Sequence, residues 1–187
     1  MANWDQVYKD KNVAEATPAR VLLENQHLLP LKGKALDYAS GLSGNGIFMA
    51  SKGLDVSSWD LSEVAVNKIN QYASDTGLSI NAQIKNLENN NEQLNEVFDV
   101  VVVSFFLHRE SFDDIEGLLK SGGILFYQTF SGKQKDGVGP SRADYRLKQG
   151  ELLNVFKKMK LLSYREDIDS GRNNTIPDQV CFVAQKL

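Results

Sequence analysis

The chain has 187 residues, 42% hydrophobic and 24% charged, with a formal charge of −3 and a pI of about 5.4. That balance excludes wholesale disorder and describes one folded domain large enough for a real core. No basic stripe points to nucleic acid, and Cys181, the single cysteine, excludes an intramolecular disulfide.

The first 30 residues carry Asp5, Lys9, Asp10, Lys11, Glu15 and Arg20 and no apolar signal segment. The most apolar stretch, Phe98 to Leu107, is broken by Asp99 and Ser104 and is too short to span a bilayer. The expected compartment is therefore the cytosol, with no membrane partner.

Asn3 to Lys9 reads as a short helix with Trp4 and Tyr8 on one face. Thr17-Pro18 predicts the start of a second helix, a capping hydroxyl followed by proline at the first helical position, and Pro30 ends it. Ala35, Leu36 and Tyr38 form a short buried strand. It runs into a loop carrying Gly41, Gly44 and Gly46 and resumes as a helix through Ile47, Phe48 and Ala50. A strand that turns through glycines into a helix brings bare backbone close to a ligand.

A second strand, Val56 to Trp59, ends in Asp60, 19 residues after Gly41. In nucleotide-binding folds an acid about 20 residues beyond the loop accepts hydrogen bonds from ribose hydroxyls. Loop and acid together point to a cofactor of the adenosine type. Ser62 can cap a helix to about Ser74, with Val66, Ile69 and Ala73 spaced for burial.

Ser79 to Ile84 is a third strand, and Leu87 to Asn95, with three successive asparagines, is a loop holding a short helix at most. Phe98 to Ser104 carries four valines in a row, the mark of a strand buried on both faces of a parallel sheet. Ser111 with Asp114 resembles a capping box for a helix that Gly122-Gly123 stop. A fifth strand runs from Gly123 to Phe130. Ser131 to Gln149 is polar and aperiodic, the composition of a lid. Glu151 to Met159 is a last helix. Two strands follow, Lys160 to Arg165 and Gln179 to Gln185, joined through Ser170-Gly171 and so close that they must pair antiparallel.

This alternation, with its terminal hairpin, resembles the class I S-adenosylmethionine-dependent methyltransferases. LDYASGLSGNGIFMA looks like that family's first motif, matched at Asp37 and Gly41, with Ser43 where a second glycine is common. VSSWDLSE looks like the second motif and SFFLHRE like the fourth. The WD dipeptide, the Leu-x-Arg-Glu at Leu107 to Glu110 and the GELL at Gly150 to Leu153 are similar to the tellurite-resistance methyltransferase subgroup.

The resemblance implies an α/β fold: a Rossmann-like, mostly parallel seven-stranded sheet in order 3-2-1-4-5-7-6, with helices on both faces and an antiparallel last strand. It implies one domain over residues 1–187, with 1–30 as a helical cap. It also implies S-adenosylmethionine as cofactor and a small-molecule methyl acceptor as partner. Ala39, Ser40 and Gly41 would lie along the methionine part, Asp60 would take the ribose, and Leu61 would pack on the adenine. Asn86 and Leu87 would meet the base from the loop after the third strand. Ser104 and Phe105 would close the side of the reacting sulfonium.

His108 and Arg109 lie just past the central strand, where open α/β sheets bind ligands, and are the candidate catalytic pair. A surface pair beginning a helix is the alternative. With the Ser131 to Gln149 segment, including Arg142, Tyr145 and Arg146, they would form a wall facing the transferred methyl. Two histidines and one cysteine, far apart, supply no zinc site. Two other functions fit parts of the pattern. A nicotinamide-dependent oxidoreductase is opposed by the glycine order, Gly41-x-x-Gly44-x-Gly46, the reverse of the dinucleotide motif. A non-catalytic cofactor-binding module draws modest support from Ser43 and Asn86.

Overall fold

The computed structural model describes residues 3–89, 94–134, 137–167 and 178–187. Seven strands form one sheet: β1 (Lys34–Tyr38), β2 (Asp55–Asp60), β3 (Ile80–Ile84), β4 (Phe98–Ser104), β5 (Leu119–Phe130), β6 (Lys160–Asp167) and β7 (Gln179–Gln185). Their order is β3-β2-β1-β4-β5-β7-β6. β3 through β5 run parallel, while β7 is antiparallel to both β5 and β6. Both the order and the single reversed strand agree with expectation.

Six α-helices accompany the sheet among the described residues: α1 (Trp4–Tyr8), α2 (Arg20–Glu24), α3 (Gly44–Ser51), α4 (Glu63–Thr76), α5 (Phe112–Gly117) and α6 (Glu151–Val155). None is long and apolar enough to cross a membrane. The four valines of β4 divide between the two faces. Val101 and Val103 pack with Ile115 of α5 and Phe156 beyond α6. Val100 and Val102 pack with Val21 and Leu22 of α2 and Met49 of α3. Strict alternation on a strand buried from both sides produces this split.

Four elements depart from the sequence reading, and tertiary contacts explain three of the departures. The helix expected at Thr17-Pro18 begins at Arg20. Its first N–H groups are met by distant side chains, Ala19 by Asn45 Oδ1 and Val21 by Gln128 Oε1, each at 2.8 Å. Ser111 forms no capping box; its hydroxyl donates instead to the Leu87 carbonyl at 2.9 Å. α5 ends at Gly117, so β5 starts at Leu119 rather than Gly123 and pairs with Phe98 through a register shift. α6 stops at Val155 rather than Met159.

Ser62 caps α4 as expected, accepting from Ala65 N at 3.1 Å. Farther along α4, Asn70 reaches the sheet edge, with Nδ2 donating to Ala82 O at 3.0 Å and Oδ1 accepting from Ala82 N at 2.9 Å. The asparagine run after Asn89 and the Ser170-Gly171 turn lie outside the described residues.

Candidate active site

The first feature built by the sequence is a fully buried carboxylate. Asp37 Oδ2 accepts from Gly46 N and Ser43 Oγ, and its Oδ1 accepts from Asn45 Nδ2, all at 3.0 Å. Burial, the dominant influence, pushes this carboxyl up to about 7 even though those donors pull it down.

Ser43 sits at φ +57, where a glycine would be unstrained, and its hydroxyl also lies 2.6 Å from Ser58 Oγ. The serine that departs from the motif thus holds the motif's acid. Asn45 completes the network. Its second amide hydrogen goes to Ser104 Oγ at 2.9 Å, and its oxygen takes Ala19 N. Gly44 is required by contact, because a Cβ there would stand 2.4 Å from the Thr17 carbonyl.

Around this anchor the C-terminal ends of β1, β2 and β4 open on a cavity of about 740 Å³. It is lined by Ala39, Ser40 and Gly41 after β1, Asp60 and Leu61 at the end of β2, and Asn86 and Leu87 after β3. Ser104 and Phe105 line it at the tip of β4. The nine residues chosen for cofactor binding therefore lie together.

Asp60 Oδ2 accepts from Gly41 N at 2.7 Å and Oδ1 from Ser62 N at 2.9 Å. Burial raises this carboxyl, and the backbone donors from Ser62, Gly41 and Leu61 oppose the rise. A carboxylate offers about four acceptor positions, more than these backbone donors fill, so the group can still accept from a ligand. Ser40 Oγ is buried beside it with no partner among the described residues. Ser104 accepts from Asn45, which leaves its own proton to donate. Asn86 is less free, because its Oδ1 accepts Glu88 N at 3.2 Å in a local turn.

The sequence reading missed the opposite wall. Trp4, Tyr8, Lys11, Asn12, Glu15 and Thr17 line the cavity too. Trp4 and Tyr8 stack with ring centroids 6.1 Å apart. A Cβ on Gly41 would lie 2.9 Å from the Tyr8 hydroxyl, so this glycine admits a tyrosine from the chain itself. Burial, then Asp60 and Asp37, push the Tyr8 phenol up to about 12. The spacing of Trp4 and Tyr8 was visible; their docking over the loop was not.

His108 and Arg109 line no part of this cavity. His108 Nδ1 is 2.7 Å from Ser111 Oγ. Arg109 binds Glu151 through Nε at 2.7 Å and Nη2 at 3.0 Å, and also the carbonyls of Asp144 at 2.6 Å and Arg146 at 3.0 Å. Its fork is spent on holding the segment before α6. That segment is ordered from within by Arg146, whose guanidinium donates to the carbonyls of Ser131, Gly132, Val138 and Pro140. Arg146 also lies over Phe130, which meets Phe105 at 5.2 Å. Arg142 faces solvent and pairs with Asp144.

The sheet order, the glycine loop and the acid ending β2 define a Rossmann-like α/β protein of the methyltransferase type. The chain belongs to the family described as tellurite resistance protein TehB, whose sequence model matches residues 2–175. A probable S-adenosyl-L-methionine-dependent methyltransferase TehB of Haemophilus influenzae is 28% identical over 141 residues, 72% of this chain and 49% of that protein. The chain thus spans about half the length of the curated relatives it matches.

The crystal structure of TehB from Haemophilus influenzae aligns with a TM-score of 0.74 at 22% identity, covering 98% of this chain and 67% of that one. A TehB-like S-adenosylmethionine-dependent methyltransferase from Corynebacterium glutamicum aligns at 0.64 and 19% identity, covering 99% and 97%.

Proposed function

We propose that this chain is a methyltransferase that moves the methyl group of S-adenosylmethionine to a small-molecule acceptor. The observation that carries the reading is the Asp60 carboxylate, with acceptor capacity beyond its backbone donors, facing the cavity beside the Gly41 backbone. The family and the named relatives support it. Cavity volume and lining fit a small-molecule site: concave, partly aromatic, with few convergent polar groups.

In this reading Asp60 accepts from the ribose, and Leu61 and Leu87 pack on the base. Ala39, Ser40 and Gly41 hold the amino-acid end, with the unpartnered Ser40 hydroxyl among the polar groups that receive it. Ser104 donates its free proton, and Phe105 closes the side toward the acceptor. The bound cofactor supplies a methyl already activated by a positive sulfur, so the chain's task is to align the acceptor and exclude water. His108 and Arg109 act at a distance, through Ser111 and Glu151, rather than on the acceptor. We further take residues 1–187 as one domain working in the cytosol, consistent with a lone, buried cysteine.

Calorimetry with S-adenosylhomocysteine and with NAD, followed by turnover against an acceptor panel, tests the proposal. Binding of the first and not the second, with methylated product, is expected. NAD binding alone would establish an oxidoreductase, and cofactor binding without turnover on any acceptor would establish a binding module.

A further inference from the structure

We infer that α1 is the roof over the nucleoside end of the cavity, that Trp4 and Tyr8 contact the bound ligand, and that Asp5 and Lys68 are positioning residues that hold the roof down. The inference rests on the cofactor reading above and assigns to it an element that the motif pattern does not contain.

α1 has no fully buried residue, and of its side chains Tyr8 packs on the apolar cluster of Val13, Leu42 and Ala65. Two polar clamps add to that hold. At its start, Asp5 Oδ1 accepts from Ser62 Oγ at 2.6 Å and from Val64 N at 3.2 Å, placing a carboxylate on the first turn of α4. At its end, Lys68 Nζ, also on α4, donates to the carbonyls of Tyr8 at 2.9 Å, Lys9 at 2.6 Å and Lys11 at 2.7 Å. The last carbonyls of a helix have no partner inside it, and an ammonium with three donors meets the Tyr8 carbonyl together with those of Lys9 and Lys11 just beyond the helix. Neither Asp5 nor Lys68 lines the main cavity.

Between the clamps, residues four apart share one helical face. Trp4 and Tyr8 occupy that face, stacked at an interplanar angle of 19°. The Tyr8 hydroxyl lies against Gly41, at the glycine loop that lines the cavity. From there the phenol can donate to a ligand oxygen.

Ser62 joins the roof to the floor. Its N–H donates to Asp60 and its hydroxyl to Asp5. A ligand that orders Asp60 therefore favours the Ser62 geometry that holds α1. The polar clamps, facing water, let α1 lift to admit a ligand and settle on it afterwards.

The test uses the full chain and S-adenosylhomocysteine as probe. In the wild type, ligand should slow amide exchange across Trp4 to Lys9. Lys68→Met should raise Kd roughly tenfold, in proportion to the fall in the closed fraction. Lys68→Arg should restore it, Asp5→Ala should act from the other end, and exchange in β1 and β4 should confirm that each variant is folded. Unchanged α1 exchange on ligand binding, or wild-type Kd in both Lys68→Met and Asp5→Ala, overturns the roof. No heat with the wild type overturns the cofactor assignment itself, and the roof falls with it.

Discussion

The backbone N–H of Gly41 donates directly to the carboxylate of Asp60 at 2.7 Å, across 19 residues of sequence. The glycine loop and the acid that ends β2 are therefore one hydrogen-bonded unit. Asp60→Ala removes the proposed ribose acceptor and also strips its backbone donors, Gly41 and Ser62 among them, of their partner. Losing charge-assisted bonds of about 1.5–3 kcal/mol should weaken S-adenosylhomocysteine binding by one to two orders of magnitude. The melting temperature should fall as well, because the Gly41 and Ser62 amides lose their acceptor. Calorimetry and a thermal melt on the same sample check both, and unchanged affinity would remove Asp60 from the site.

Asp37 makes stability depend on pH. Its folded value of about 7 lies well above the unfolded value near 3.8. Between the two, the folded state binds a proton that the unfolded state has released, so this group's contribution is present at low pH. It is lost as pH rises from about 4 to about 7, at up to about 1.4 kcal/mol per pH unit. Asp37→Asn should abolish that slope while costing stability at pH 5, where its amide would face the Gly46 N–H. Urea titrations of both proteins from pH 5 to 8 should show the gap between them narrowing as pH rises. A constant gap would exclude the shifted titration.

Ser43 couples left-handed backbone to a side chain in use. Ser43→Gly relieves strain of about 1–2 kcal/mol but loses the bonds to Asp37 and Ser58, each worth about 1 kcal/mol. Ser43→Ala loses the same bonds and keeps the strain. Denaturant unfolding should therefore place the alanine variant below the glycine variant by about 1 kcal/mol. The opposite order would mean that the strain at φ +57 is negligible.

Arg109→Ala should act on stability before chemistry. The Arg109 side chain is 36% exposed and that of Glu151 14%, so the loss is modest, about 1–2 kcal/mol. Affinity for S-adenosylhomocysteine should stay near that of the wild type. A double-mutant cycle with Glu151→Ala should show strong coupling, since each residue satisfies the other. A folded Arg109→Ala protein with wild-type melting and no turnover would return Arg109 to the acceptor wall.

The sheet was legible because its signals are local: four successive valines mark a strand with two covered faces, and Gly41 with Asp60 marks a β-α-β turn. The start of β5 slipped because a strand begins where partners are found, and Leu119 found Phe98. The convergence of the nine residues on one cavity was legible for the same reason as the sheet, since strand ends place it. The pairing of Arg109 was not legible, because its partner, Glu151, lies 42 residues on. Asn45 carried a signal that went unread: a buried amide inside a short helix must have partners elsewhere, and it binds Asp37, Ser104 and Ala19.

Asn70 has a consequence for how this molecule meets its neighbours. Val56 N and Lys85 N fix the odd-numbered residues of β3 toward β2, so Ala82 turns its N–H and C=O away from the sheet. An open rung of that kind is a template on which a foreign strand can continue the ladder. The Asn70 amide, with one donor and one acceptor at peptide-like spacing, occupies that rung as a one-residue imitation strand. The central rung of this edge is therefore filled, and self-association in register through β3 would first have to evict a side chain that belongs to α4.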